Sequence, residues 1–139
     1  MVQLIIGNKG KGKTKVLLDK ANSEIKNTEG NVVYLDKSTE HMFELNNRIR
    51  LIDVHEYGIS NPDQFIGFVT GIISQDHDLE QMYLDCFLSI AGVEDGNVVP
   101  VIQKLDEIGS KFDVKLIISV TMDPSSVPAE LKDMVIESL

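Results

Sequence analysis

The run Gly7-Asn8-Lys9-Gly10-Lys11-Gly12-Lys13-Thr14 fits the spacing G-x-x-x-x-G-K-[ST], whose chemistry is phosphate binding. A polyphosphate packs several negative charges into a small volume. Gly7, Gly10 and Gly12 carry no Cβ, so the backbone there is free to take positive φ and approach phosphate oxygens closely. A helix starting at the end of the loop would add free N–H groups and the positive end of its dipole. Lys13 is spaced to reach the terminal phosphates as a point charge, and the Thr14 hydroxyl to ligate Mg²⁺. Asn8, Lys9, Lys11 and Lys15 complete the candidate binding stretch. Lys9 and Lys11 occupy unrestricted positions, where a solvated lysine is the plain alternative.

Such a loop works only between a strand and a helix. Val2-Gln3-Leu4-Ile5-Ile6 is a short apolar run of strand type, and Lys15 to Ala21 opens a helix that extends to about Ile25. Lys26 to Asn31 is turn-rich and ends it. Val32-Val33-Tyr34-Leu35 reads as a buried strand closing at Asp36. Thr39 to Asn47 reads as a short helix and Arg48 to Val54 as a strand. Asn61-Pro62 is a helix start, with Phe65, Ile66, Val69, Ile72 and Ile73 at helical spacing up to Gln75. Leu79 to Leu84 is an apolar run ending in Asp85. Val98 to Phe112 is a helix with Val101, Ile102, Leu105 and Ile108 on one face. Lys115 to Val120 reads as the last strand, and a closing helix is expected over Ala129 to Glu137.

Strands that are near-continuous apolar runs and alternate with helices predict an α/β fold, a mainly parallel sheet covered on both faces. Ligands of such sheets bind at the carboxyl ends of the strands. The residues to inspect are therefore Gly7 to Thr14, Asp36 to Ser38, Asp53 to Tyr57, Asp85, and Ser119 to Asp123. Asp85 is the candidate second Mg²⁺ ligand, acting directly or through a water. Asp53 ends a similar but less apolar run and is its rival.

Composition bounds the function. The chain has 139 residues, enough for one domain with a real core, and no run long enough for a membrane span. The first strand begins almost at Met1, which leaves no signal-peptide pattern, and the single cysteine, Cys86, suits a reducing compartment. The cytoplasm is the expected location. A net charge of −9 argues against a nucleic-acid partner, which selects for a basic stripe. The only arginines are Arg48 and Arg50.

Three pieces of the chain resemble the P-loop nucleoside triphosphatases, and within them the RecA-like branch: the Walker A loop Gly7 to Thr14, the second strand with its acidic end, Val32 to Asp36, and Leu84-Asp85-Cys86-Phe87, similar to a Walker B segment. The resemblance implies a three-layer α/β/α sandwich of P-loop NTPase fold over residues 1–139, with ATP and Mg²⁺ as ligands. It also places Ser119 and Thr121 where that branch often senses the γ-phosphate, and it raises the expectation of a homo-oligomer. The departures concern catalysis. The branch usually has a glutamate just past the second strand to orient water, whereas Lys37 and Ser38 follow Asp36 here, and Cys86 rather than glutamate follows Asp85. Asp36, Glu40 and Glu56 are the candidate bases alongside the catalytic Lys13.

Three functions compete: a weak or partner-regulated ATPase, a nucleoside-type kinase, and a non-catalytic ATP-dependent switch or assembly subunit binding another protein. A kinase of this type needs an arginine-rich lid, which two arginines do not build. No Asn-Lys-x-Asp guanine motif is present. His41, His55 and His77 lack metal-ligand spacing and read as surface residues, and Cys86 as a small buried residue. Arg48 or Arg50 as an arginine finger is outweighed by an exposed strand-edge role.

Overall fold

The computed structural model describes residues 1–139. Six strands form one sheet: β1 (Val2–Gly7), β2 (Asn31–Asp36), β3 (Ile49–Asp53), β4 (Leu79–Leu84), β5 (Lys115–Thr121) and β6 (Val135–Ser138). Their order is β3-β2-β4-β5-β1-β6, and every neighbouring pair is parallel. Four helices connect them: α1 (Lys13–Glu24), α2 (Pro62–Gln75), α3 (Phe87–Ile90) and α4 (Val99–Phe112).

Strand side chains alternate between faces, and the two faces bury separate clusters. Ile5, Tyr34, Tyr83 and Ile117 pack with Leu17, Leu18 and Ala21 of α1. Leu4, Ile6, Leu35, Met82, Leu84, Ile118 and Val120 pack with Phe65 and Val69 of α2, Phe87 of α3, and Ile102 and Leu105 of α4. The result is a three-layer α/β/α arrangement. Each fully buried aliphatic side chain contributes about 1.5–3 kcal/mol, so both faces hold the sheet against its helices.

Two local expectations are corrected. No regular helix covers Thr39 to Asn47, where only a 3₁₀ turn at Met42–Glu44 forms. Met42 and Phe43 remain exposed and Leu45 alone of this segment's apolar side chains is buried, too little for a helix this short to form. Asn22 of α1 ties the loop down by donating to the Glu44 carbonyl and accepting from Asn46 N–H. The closing helix is absent too. Ala129–Met134 is 3₁₀, and Val135–Ser138 is strand β6, paired with β1. Without it, β1 would present an unpaired edge of N–H and C=O groups. Leu139 N–H extends the pairing by donating to the Ile6 carbonyl at 2.9 Å.

Candidate functional site

β1 ends at Gly7, and the chain then turns through Gly10 (φ 83°) and Gly12 (φ 92°) before α1 begins. These are the left-handed values that glycine adopts without strain. An added Cβ at either position would meet nothing within 4 Å, so φ is the constraint there, not space. Gly7 differs: it remains in β1 and has no positive φ. A Cβ there would come within 3.1 Å of Leu139, so close approach is its requirement.

Gly12 caps α1 and no side chain satisfies the first-turn N–H groups, which leaves a twelve-residue helix pointing its dipole into the loop. Lys13 Nζ donates to the Asn8 carbonyl at 3.1 Å and so folds across the loop. Desolvation lowers the Lys13 pKa, partly offset by the nearby Asp85 and Cys86. Asn8 Nδ2 donates to Asp123 at 3.4 Å, joining the loop to the segment after β5.

β5 lies between β1 and β4, and the carboxyl ends of all three converge. Thr14 Oγ1 donates to Asp85 Oδ1 at 3.2 Å, across 71 residues of sequence. Asp85 is almost completely buried and densely held. Its Oδ1 also accepts from Ser119 Oγ at 2.6 Å and Cys86 N–H at 2.9 Å, and its Oδ2 accepts from Tyr34 Oη at 2.9 Å. Burial and Asp85 together push the Tyr34 phenol far above its ordinary pKa, so it stays a donor. Tyr34 was not singled out in the sequence, although a tyrosine within an otherwise apolar strand signals a hydroxyl that needs a partner.

Asp36 ends β2, adjacent to β4. Its Oδ1 accepts from Lys37 N–H at 2.7 Å, whereas its Oδ2 is buried without any partner. Burial foremost, with Asp85 adding to it, pushes its carboxyl pKa up to about 6. Cys86 is half-buried rather than buried, at a left-handed φ of 53°. Desolvation foremost, with Asp85 and Asp36, raises its thiol to about 11.

These elements enclose a cleft of about 450 Å³ lined by Lys9, Gly10, Gly12, Lys13, Thr14, Lys37, Asp85, Cys86, Ser89, Ser119 and Thr121, among others. Asp85 is the single carboxylate on that lining. Lys37 falls within the Asp36 to Ser38 stretch expected at a strand end, Cys86 reaches the lining where a buried residue was expected, and Ser89 is an addition. Lys11 and Lys15 lie on the exposed surface outside the lining, and Lys15 pairs with Asp19 at 3.1 Å. Glu40 is exposed and lies 3.4 Å from His41, and Glu56 is exposed in the 3₁₀ turn after β3. Neither lines the cleft. Asp53 stands in register with Asp36 at the sheet edge and caps its own turn by accepting from His55 N–H.

A larger cavity of about 800 Å³ lies against β3 and α2, lined by Arg48, Arg50, Tyr57 and Phe68 among others. It contains no residue of the glycine loop, so chemistry selects the smaller cleft. Arg48 donates to the Ile25 and Thr28 carbonyls and so braces the turn after α1. No helix is long and apolar enough to cross a membrane.

The arrangement of strands can be compared with solved structures. The crystal structure of the flagellar accessory protein FlaH from Methanocaldococcus jannaschii superposes with a TM-score of 0.61, covering 95% of this chain at 14% identity. The fold is RecA-like. This chain spans 65% of that protein's length, so the likeness is one of fold. No family model matches the chain, and no curated protein matches it in sequence. The mainly parallel α/β sheet anticipated from the apolar runs is six-stranded and all-parallel, an architecture shared with a known protein, and fold alone does not carry activity.

Proposed function

We propose that this chain binds Mg-ATP at the glycine loop and hydrolyses it slowly, with turnover dependent on a partner protein or a second copy of the chain. The single observation behind this reading is the contact of Thr14 Oγ1 with Asp85 Oδ1 at 3.2 Å, at the mouth of a loop whose Gly10 and Gly12 adopt positive φ. The hydroxyl and carboxylate are hard oxygen donors of the kind Mg²⁺ takes, so the residues present fit that ion. When bound, Mg²⁺ would be held by Thr14 and Asp85 and would supply positive charge against the phosphates.

The chain's own residues supply the remaining functions. Backbone N–H groups of the loop and of the first turn of α1 would receive the phosphates. Lys13, released from the Asn8 carbonyl, would follow the terminal phosphate. Ser119 and Tyr34 hold Asp85 in one orientation. Asp36 is a buried carboxylate with an unused oxygen beside Asp85 and Cys86 of the cleft lining, and it is the candidate to orient water. It has the short reach of an aspartate rather than that of a glutamate, and Asp36, Glu40 and Glu56 all lie outside the cleft lining. Slow turnover by the isolated chain follows from that geometry.

Calorimetry with Mg-ATP, and with Mg-GTP alongside, tests the reading on wild type and Lys13→Ala. Loss of a charge-assisted contact of about 1.5–3 kcal/mol is a ~10- to 100-fold loss of affinity. Selective ATP binding that weakens by that factor supports the site. Equal affinity in the variant, or no binding by folded wild type, removes it.

A further inference from the structure

Three ligand-type side chains meet beside the cleft, Asp85 and Cys86 on its lining and Asp36 outside that lining. A carboxylate oxygen of Asp36, one of Asp85 and the Sγ of Cys86 all lie within 4.8 Å of one another. Asp36 ends β2, and Asp85 and Cys86 follow β4, its direct neighbour. Asp85 N–H donates to the Leu35 carbonyl at 2.9 Å, so backbone pairing holds the two ends together.

A second observation distinguishes this group from an ordinary acidic cluster. Asp36 is 2% exposed, and its Oδ2 has no hydrogen-bond partner. A buried carboxylate oxygen normally has a donor, because leaving it unmatched costs the full desolvation of the group. Asp85 Oδ1 is saturated by Thr14, Ser119 and Cys86 N–H, while its Oδ2 receives Tyr34 alone and keeps a lone pair. A cation between these atoms would satisfy Asp36 Oδ2 and remove the repulsion between two buried carboxylates.

We propose that Asp36, Asp85 and Cys86 form a binding site for a borderline-soft divalent ion of the zinc class, with a fourth position open to the cleft. A thiolate–carboxylate set selects against Mg²⁺, which takes oxygen ligands in octahedral geometry. Ligand atoms around a tetrahedral ion at 2.0–2.3 Å sit roughly 3.3–3.8 Å apart. The three side chains therefore have to close by about 1 Å or slightly more at their widest separation, within reach of side-chain rotation. The Cys86 proton leaves to solvent on coordination. The site stands on these side chains and does not require nucleotide. Its consequence for turnover does rest on the function proposed above: an ion held here occupies Asp36 and makes the soft cation an inhibitor of hydrolysis.

The test is a Co²⁺ titration of the nucleotide-free full chain under reducing conditions, after chelator treatment and with excess Mg²⁺ present. The expected result is saturation at one ion per chain with a near-ultraviolet thiolate-to-cobalt charge-transfer band. Cys86→Ser abolishes the band, Asp36→Asn weakens Co²⁺ binding by about tenfold or more, and Lys13→Ala changes neither. The absence of a charge-transfer band in wild type overturns the site. Unchanged affinity in Asp36→Asn overturns it too, because a lone thiol would then account for the band. Circular dichroism confirms folding of each variant, and if Cys86→Ser does not fold, the nearly isosteric Asp36→Asn decides alone. Because no nucleotide is present, failure here is separable from failure of the ATP reading.

Discussion

Replacing Asp36 by Asn should stabilise the protein at neutral pH, and the size of the effect follows from the buried, half-partnered carboxylate. Its pKa is pushed from 3.8 up to about 6, burial being the main cause. The folded state therefore holds the proton more tightly than the unfolded chain, and stability is full below the ordinary value and declines as pH rises toward 6. The loss at pH 7.5 is at most about 3 kcal/mol, and solvent screening near the cleft reduces the expectation to roughly 1–2 kcal/mol. Asn removes this loss. Its carbonyl keeps the bond accepted from Lys37 N–H, and its amide takes the place of the unpartnered Oδ2 beside Asp85. The assay is thermal unfolding of chelator-treated wild type and variant between pH 4 and 8. A gain of about 1–2 kcal/mol, or ~3–8 °C in Tm, is expected at pH 7.5, falling toward zero near pH 4. A variant less stable at pH 7.5, or a difference that does not vary with pH, would refute the reasoning.

Two further outcomes follow from the same residues. Tyr34→Phe leaves Asp85 Oδ2 without its donor in a buried position and should cost about 1.5–3 kcal/mol by denaturant unfolding; a loss under half a kcal/mol would show that the bond carries no weight. The Cys86 thiol, raised from 9.0 to about 11, should react with iodoacetamide at neutral pH about 100-fold more slowly than a free cysteine, and a rate near that of the free amino acid would contradict its environment.

Much of this molecule is visible before folding because it is encoded locally. The glycine loop is a run of eight neighbouring residues, and its φ requirements at Gly10 and Gly12 are met by residue type alone. The apolar runs ending at Asp36 and Asp85 match β2 and β4, and Asn61-Pro62 caps α2 by accepting from Gln64 N–H, as its residue types predict. What local pattern could not supply is the pairing of distant edges. Ala129 to Glu137 has helical composition, yet Val135–Ser138 is a strand because β1 offers an unpaired edge that only the assembled sheet creates.

The choice between Asp85 and Asp53 is of the same kind. Both end strands, and only the order β3-β2-β4-β5-β1-β6 brings Asp85 to Thr14 while leaving Asp53 on the edge strand. Tyr34, Ser119 and Cys86 become parts of one site for that reason as well. Hydrogen bonding and burial act over a few ångströms in space, whereas Ser119, Tyr34 and Thr14 lie 34, 51 and 71 residues from Asp85 along the chain. Residue types by themselves determined the spacing and backbone freedom of the glycine loop. The parallel sheet decided which carboxylate lines the cleft, and only the packed structure removes water from Asp36 and Asp85 and sets them side by side.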